Sequence, residues 1–191
     1  MAINLQKGQR ISLGLSKIKV GLGWEPNEST SGQAFDLDAS AFLLNDGRRI
    51  PTEAHFIFYN NTTSPDGAIT HSGDDPTGGS SSGDDEIIEV DLGNVHGDIQ
   101  EVLFIVTIHD AQGRRQNFGQ VRNSYIRIVD SNDNSEIAKY ELNEDFSIET
   151  AVEFGRLYRR DGAWRFEASG IGYKEDLSFF VEKYYTGQVI K

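Results

Sequence analysis

The chain of 191 residues contains no cysteine, so neither a disulfide framework nor a thiolate metal site is open to it. It has only 4 prolines, and its longest unbroken apolar stretch, Val102 to Val106, is far too short to span a bilayer. Residues Met1 to Gly8 lack an apolar h-region and a small-residue cleavage site, so we read no secretory signal and take the cytoplasm as the default location. Bases are scarce as well: 18 Lys and Arg stand against 30 Asp and Glu, a formal net charge of −12. Such a surface repels phosphate, which speaks against nucleic-acid binding; cations or basic partners suit it better. With 37% apolar and 10% aromatic residues the chain is too apolar for disorder, and its length suits one domain spanning residues 1–191.

The acidity is concentrated. Residues Glu25 to Asp91 hold 14 acids against two bases, Arg48 and Arg49, a net of −12, while the rest of the chain balances at 16 of each sign. That third of the chain carries the whole excess.

What the sequence does contain is alternation. Ile11, Leu13 and Leu15, then Ile18, Val20 and Leu22, recur every second residue with one slip near Ser16, as in a half-buried strand with a turn or bulge. Comparable runs follow at 35–44, 54–59, 87–92, 102–109, 125–129, 137–142, 149–158 and 164–168. Asn45-Asp46-Gly47, Pro65-Asp66-Gly67 and Asp161-Gly162 lie between such runs, and Asp-Gly favours hairpins because both positions tolerate positive φ. About nine short strands in one domain predict an all-β sandwich. Helical spacing occurs in Tyr173 to Gly187, where Leu177, Phe180, Val181 and Tyr184 share a face and Gly187 follows as a cap. This predicts a short C-terminal helix that packs on the sandwich or meets a partner.

One acidic segment breaks the strand rhythm. From His71 to Asp91 it carries Asp74, Asp75, Asp84, Asp85 and Glu86 among glycines and serines before turning strand-like at Ile87, with no base. Carboxylates and hydroxyls on a backbone freed by glycine are the hard oxygen donors that Ca²⁺ takes in sets of six to eight; the plain alternative is a solvated loop. In Phe35 to Ser40 the acids Asp36 and Asp38 share one strand face with Ser40 while Phe35, Leu37 and Ala39 share the other. Two carboxylates about 6.6 Å apart along a strand can flank an ion, or they are outward acids of an exposed strand edge. Asp130 to Glu141 matches an EF-hand loop at positions 1, 3, 5, 8 and 12, but Ser135 stands where glycine is needed and the flanks alternate like strands. A hairpin turn fits it better than a calcium loop.

Enzyme-like patterns lack their contexts. Gly79-Ser80-Ser81-Ser82-Gly83 satisfies the G-x-S-x-G pattern but does not sit on a strand-to-helix turn. Gly21-Leu22-Gly23 has no third glycine and meets Pro26, so it is not a dinucleotide fingerprint. His55, His71, His96 and His109 show neither HxH nor HExxH spacing and make a weak zinc case; His109 reads as a strand-end hydrogen-bonding residue. Trp24 and Trp164 read as covers for the ends of the core.

Four stretches taken together carry a family resemblance: Val20-Gly21-Leu22-Gly23-Trp24; Phe35 to Leu44; Gly73-Asp74-Asp75 through Gly83-Asp84-Asp85-Glu86; and Phe154-Gly155-Arg156-Leu157-Tyr158-Arg159-Arg160 with Trp164. In this order, and over essentially the whole chain, the sequence resembles the TerD family of tellurium-resistance and stress proteins. The resemblance implies a cytoplasmic calcium-binding β-sandwich with no catalytic activity, holding more than one Ca²⁺. It also implies other tellurium-resistance proteins as partners, at the inner face of the membrane. The acids matching the family's ligand segments are Asp36, Asp38, Asp74, Asp75, Asp84, Asp85 and Glu86. Residues 78–82 are serine-rich where relatives are expected to be more acidic. A calcium-dependent lectin-like module is the alternative. An enzyme reducing tellurite directly is disfavoured by the absence of cysteine, since reduction normally draws on thiols or a redox cofactor.

Overall fold

The computed structural model describes residues 3–4, 6–28, 32–80, 83–142 and 146–185. The strands are β1 (Ile3–Asn4), β2 (Arg10–Ser12), β3 (Lys17–Gly23), β4 (Leu37–Leu44), β5 (Phe56–Ile57), β6 (Ile69–His71), β7 (Glu86–Asp91), β8 (Glu101–Ile108), β9 (Tyr125–Asp130), β10 (Glu136–Glu141), β11 (Ala151–Arg160) and β12 (Ala163–Tyr173). The described residues also include the single turn α1 (Ala111–Arg114), the C-terminal α2 (Leu177–Tyr184) and short 3-10 turns at Glu53–His55 and Phe118–Gln120. The strands form two six-stranded sheets, β1-β10-β9-β3-β7-β6 and β2-β12-β11-β8-β4-β5. Apart from the parallel pair β1–β10, all of these pairings are antiparallel.

The predicted sandwich is therefore present, with more strands than the alternation showed. The run from Arg10 to Leu22 divides into β2 and β3, which lie in different sheets, and β1 and β6 are too short to display a period. Asp161-Gly162 forms the two-residue connection of β11 to β12, with φ of 53° and 75°, the double positive φ of a type I′ hairpin. Asp130 to Glu141 is a hairpin between β9 and β10, as its flanks predicted. The Asp130 carboxylate accepts from the Asn132 amide, and the Asp133 carboxylate from the Ser135 amide.

β4 is buried along its whole length. Leu37, Ala39, Ala41 and Leu43 enter the core between the sheets, while Phe42 and Leu44 join Leu103, Ile105, Phe180 and Tyr184 beneath α2 on the outer face. The helix packs on the sandwich, and Asp176 caps it by accepting from the Phe179 amide. It is shorter than its periodicity predicted because β12 continues through Tyr173. The readings placed on Ser81 and Gly187 lie outside the described residues. Trp24 and Trp164 close the core as expected, their indole N–H groups donating to the carbonyls of Phe35 and Leu92.

Candidate metal centre

The acidic segment is the connection between β6 and β7, and it is pinned rather than free along much of its course. Gly21 and Gly23 face outward from β3, and the missing side chains leave a floor. Asp84 fills the space over Gly21, and the Tyr125 ring covers Gly23. The Arg127 Nε and Nη2 donate to the two oxygens of Asp84 at 2.8 and 3.0 Å, and the Tyr125 hydroxyl donates to Oδ1 at 2.9 Å. Bidentate pairing of this kind is among the stronger charge-assisted contacts. Asp85 accepts from the Trp24 amide at 2.8 Å and the Ser80 amide at 2.6 Å; burial nevertheless pushes its carboxyl above the ordinary value. Gly78, with φ of 70°, lies against the Trp24 indole where a Cβ has no room.

Asp75 serves the loop itself. Its Oδ1 accepts from the amides of Thr77 and Gly78 and from the Thr77 hydroxyl, all at 3.0 Å. Burial pushes its carboxyl up, but these hydrogen bonds outweigh it and hold it below the usual range.

Glu86 and His71 bridge the two sheets. The β5 pairing covers only Ala41 and Phe42 of β4, which leaves the edge at Ala39 open. Glu86 Oε2 accepts from the Ala39 amide at 2.7 Å, and His71 Nε2 lies 3.0 Å from the Ala39 carbonyl. The Gly73 amide donates to His71 Nδ1 at 3.0 Å, which makes Nε2 the protonated nitrogen and the donor to Ala39. His71 Nε2 is also 3.5 Å from Glu86 Oε2. Glu86 Oε1 is buried without a hydrogen-bond partner, and burial raises this carboxyl despite the help of His71 and the Ala39 amide. The spacing of histidines gave no hint of this role for His71.

Asp36, Asp38 and Asp74 converge. One carboxylate oxygen from each lies within 4.8 Å of the others, the only such cluster of three or more potential ligands among the described residues. Asp36, just before β4, and Asp38, within it, converge as the alternation predicted, but Asp38 is only 5% exposed even though β5 does not reach that end of the strand. The exposed-edge alternative is thus excluded for Asp38. Burial, followed by the charges of Glu86, Asp36 and Asp74, pushes the Asp38 carboxyl up to about 8. Asp36 is raised too, first by burial and then by Asp74, against the opposing charges of His109 and Arg114. Its Oδ1 is buried and unpartnered, while Oδ2 lies 3.6 Å from Arg114 Nη1. Beside Asp38 opens a cavity of about 430 Å³, bordered by Tyr59, Thr107, His109, Asp110, Asp176 and Ser178.

Of the seven acids singled out from sequence, three therefore meet in one cluster. Asp84 is bound to Arg127, Asp85 and Asp75 accept from backbone amides, and Glu86 caps β4 with one oxygen to spare.

The donor set suits a hard cation. Three carboxylates supply oxygen only, and an ion of six to eight ligands completes its shell with carbonyls and water. Three acids packed in a half-dry site also repel one another unless a positive charge joins them.

Fold and site define a two-sheet β-sandwich whose rim carries a convergent carboxylate cluster. The chain belongs to the TerD family: the TerD domain matches residues 1–184. It is 49% identical to the tellurium resistance protein TerD of Alcaligenes sp over 96% of this chain and 97% of that protein. It is 47% identical to general stress protein 16U of Bacillus subtilis, with the same coverages. Among solved structures, a TerD homologue from Streptomyces coelicolor A3(2) superposes with a TM-score of 0.74, covering 87% of this chain and 95% of that one at 24% identity. That last likeness speaks for the fold.

Proposed function

We propose that this protein is a non-enzymatic calcium-binding member of the tellurium-resistance and stress family. The convergence of Asp36, Asp38 and Asp74 carries the reading. The ion ties the start of β4 to the β6–β7 connection and so orders a rim surface for a partner. More than one ion is proposed, the second at the same rim beside Asp38, where Asp110 and Asp176 border the cavity. The proposed setting is the cytoplasm, and the proposed partners are other tellurium-resistance proteins at the inner face of the membrane. Among the described residues no helix is long and apolar enough to cross a membrane.

Calorimetric titration with Ca²⁺ tests this on the wild type and on Asp36→Asn, Asp38→Asn and Asp74→Asn. Binding in the wild type with loss in each variant is the expected result; no heat at millimolar calcium overturns it. Calcium at a hundredfold above its Kd adds about 2.7 kcal/mol to stability. Magnesium adds less, because it demands a tighter octahedral shell and gives up water reluctantly. The hydroxyl-lined cavity beside Asp38 favours one second reading, a lectin-like module in which calcium bridges protein and sugar. Calcium-dependent signal on a glycan array would move the assignment there.

A further inference from the structure

Arg114 is the one ion-pair partner of the carboxylate cluster among the described residues. Its Nη1 lies 3.6 Å from Asp36 Oδ2, and neither Asp38 nor Asp74 has an ion pair there. The guanidinium is placed by a rigid support. α1 is a single turn held between two residues in the left-handed region, Asp110 with φ of 47° and Arg115 with φ of 54°. The Asp110 carboxylate occupies the space that a side chain at Gly113 would need. The Arg114 amide donates to the Asp110 carbonyl at 2.9 Å, and the Gln116 amide to the Ala111 carbonyl at 2.9 Å. The buried Gln116 side chain then grips the irregular segment that leads into Asp36, donating to the Gln33 and Ala34 carbonyls at 3.0 and 3.2 Å. Arg114 Nη1 also reaches the Ala34 carbonyl at 3.4 Å.

We infer that Arg114 is a built-in counter-ion that occupies the calcium site electrostatically and sets the threshold at which calcium enters. This rests on the reading of Asp36, Asp38 and Asp74 as a cation site. A fixed positive charge beside Asp36 stabilises the calcium-free cluster and repels a divalent ion. The Arg114 side chain is 22% exposed, so its head has solvent to swing into once the ion takes Asp36. The unpartnered Asp36 Oδ1 is the oxygen left for the incoming cation while Arg114 still faces Oδ2. Calcium therefore exchanges with an internal cation instead of filling a bare acidic pocket, and the site stays intact when calcium is scarce.

The test compares wild type, Arg114→Gln, Arg114→Lys and Arg115→Gln by calcium titration and by thermal melting with and without calcium. Arg114→Gln keeps an amide donor for the Ala34 carbonyl but removes the charge. It should bind Ca²⁺ about tenfold more tightly, equal to about 1.4 kcal/mol, and melt lower than wild type when calcium is absent. Arg114→Lys keeps the charge and should stay within about threefold of the wild-type Kd. Arg115→Gln makes the same change in net charge on the exposed neighbour and should leave Kd within about twofold, which separates a local effect from a global one. If the wild type binds calcium and Arg114→Gln binds no more tightly, this inference is overturned and the site reading survives. Should both fail to bind, the site reading falls and takes the inference with it. Binding by Arg114→Gln alone would support both.

Discussion

The carboxylate of Asp84 rests on Gly21, in the space where any other residue would carry its Cβ. Gly21 has no positive φ, so what demands glycine there is room and not backbone conformation. Gly21→Ala should displace Asp84 from Arg127 and destabilise the protein by about 2 kcal/mol, within the range for overpacking a filled site. Urea unfolding measures it. A neutral Gly21→Ala would mean that Asp84 moves aside at no cost.

The same contact separates structural acids from ligands. Asp84→Asn weakens the bidentate pair with Arg127, so it should lower the melting temperature while leaving the calcium Kd within about threefold. Asp74→Asn should do the reverse, abolishing calcium binding with little change in the calcium-free melting temperature, because Asp74 is exposed and has no ion pair among the described residues. Loss of calcium binding in Asp84→Asn with unchanged folding would exchange the two roles.

The cap on β4 predicts a contrast between two variants. Glu86→Gln retains a side-chain oxygen for the Ala39 amide and removes a charge facing Asp38, so its stability should stay within about 1 kcal/mol of wild type. Glu86→Leu orphans that buried amide and should cost about 2 kcal/mol. Hydrogen exchange reports the cause directly: the Ala39 amide should lose protection in Glu86→Leu alone. Equal protection in both variants would show that another group caps the strand.

These contacts mark the boundary of what local pattern can show. The Phe35 to Leu44 alternation was legible, and with it the common face of Asp36 and Asp38, because period two is a property of the strand itself. That this face is covered depends on α2, which arrives about 135 residues later in the chain. Asp74, Asp75, Asp84 and Asp85 are alike in composition, and their different partners come from tertiary approach: Arg127 lies 43 residues beyond Asp84. The lone base facing outward from β9 beside Tyr125 was the available signal for that pairing. For His71 and Arg114 no spacing pointed to the site, since a single polar residue at a strand end or helix end has no period. The acid-rich third of the chain thus showed the region but not the division of labour within it.

Asp66 offers a pH-dependent test away from the carboxylate cluster. In the Pro65-Asp66-Gly67 turn its Oδ1 accepts from the Ser64 hydroxyl at 2.5 Å and the Ala68 amide at 3.0 Å. Its Oδ2 accepts from the His96 amide at 2.9 Å and so ties two loops together. Burial pushes the carboxyl up, but these hydrogen bonds win and hold it below its ordinary value of 3.8. A group depressed in the folded state stabilises fully above its unfolded value, and that contribution is lost as pH falls through the folded value. Asp66→Ala should therefore cost about 1–3 kcal/mol at pH 7, and the gap from wild type should narrow below about pH 4. Urea unfolding of both proteins from pH 7 to pH 2.5 checks the sign. A gap that widened toward acid would mean that the folded protein prefers Asp66 protonated, against the hydrogen bonds that define this turn.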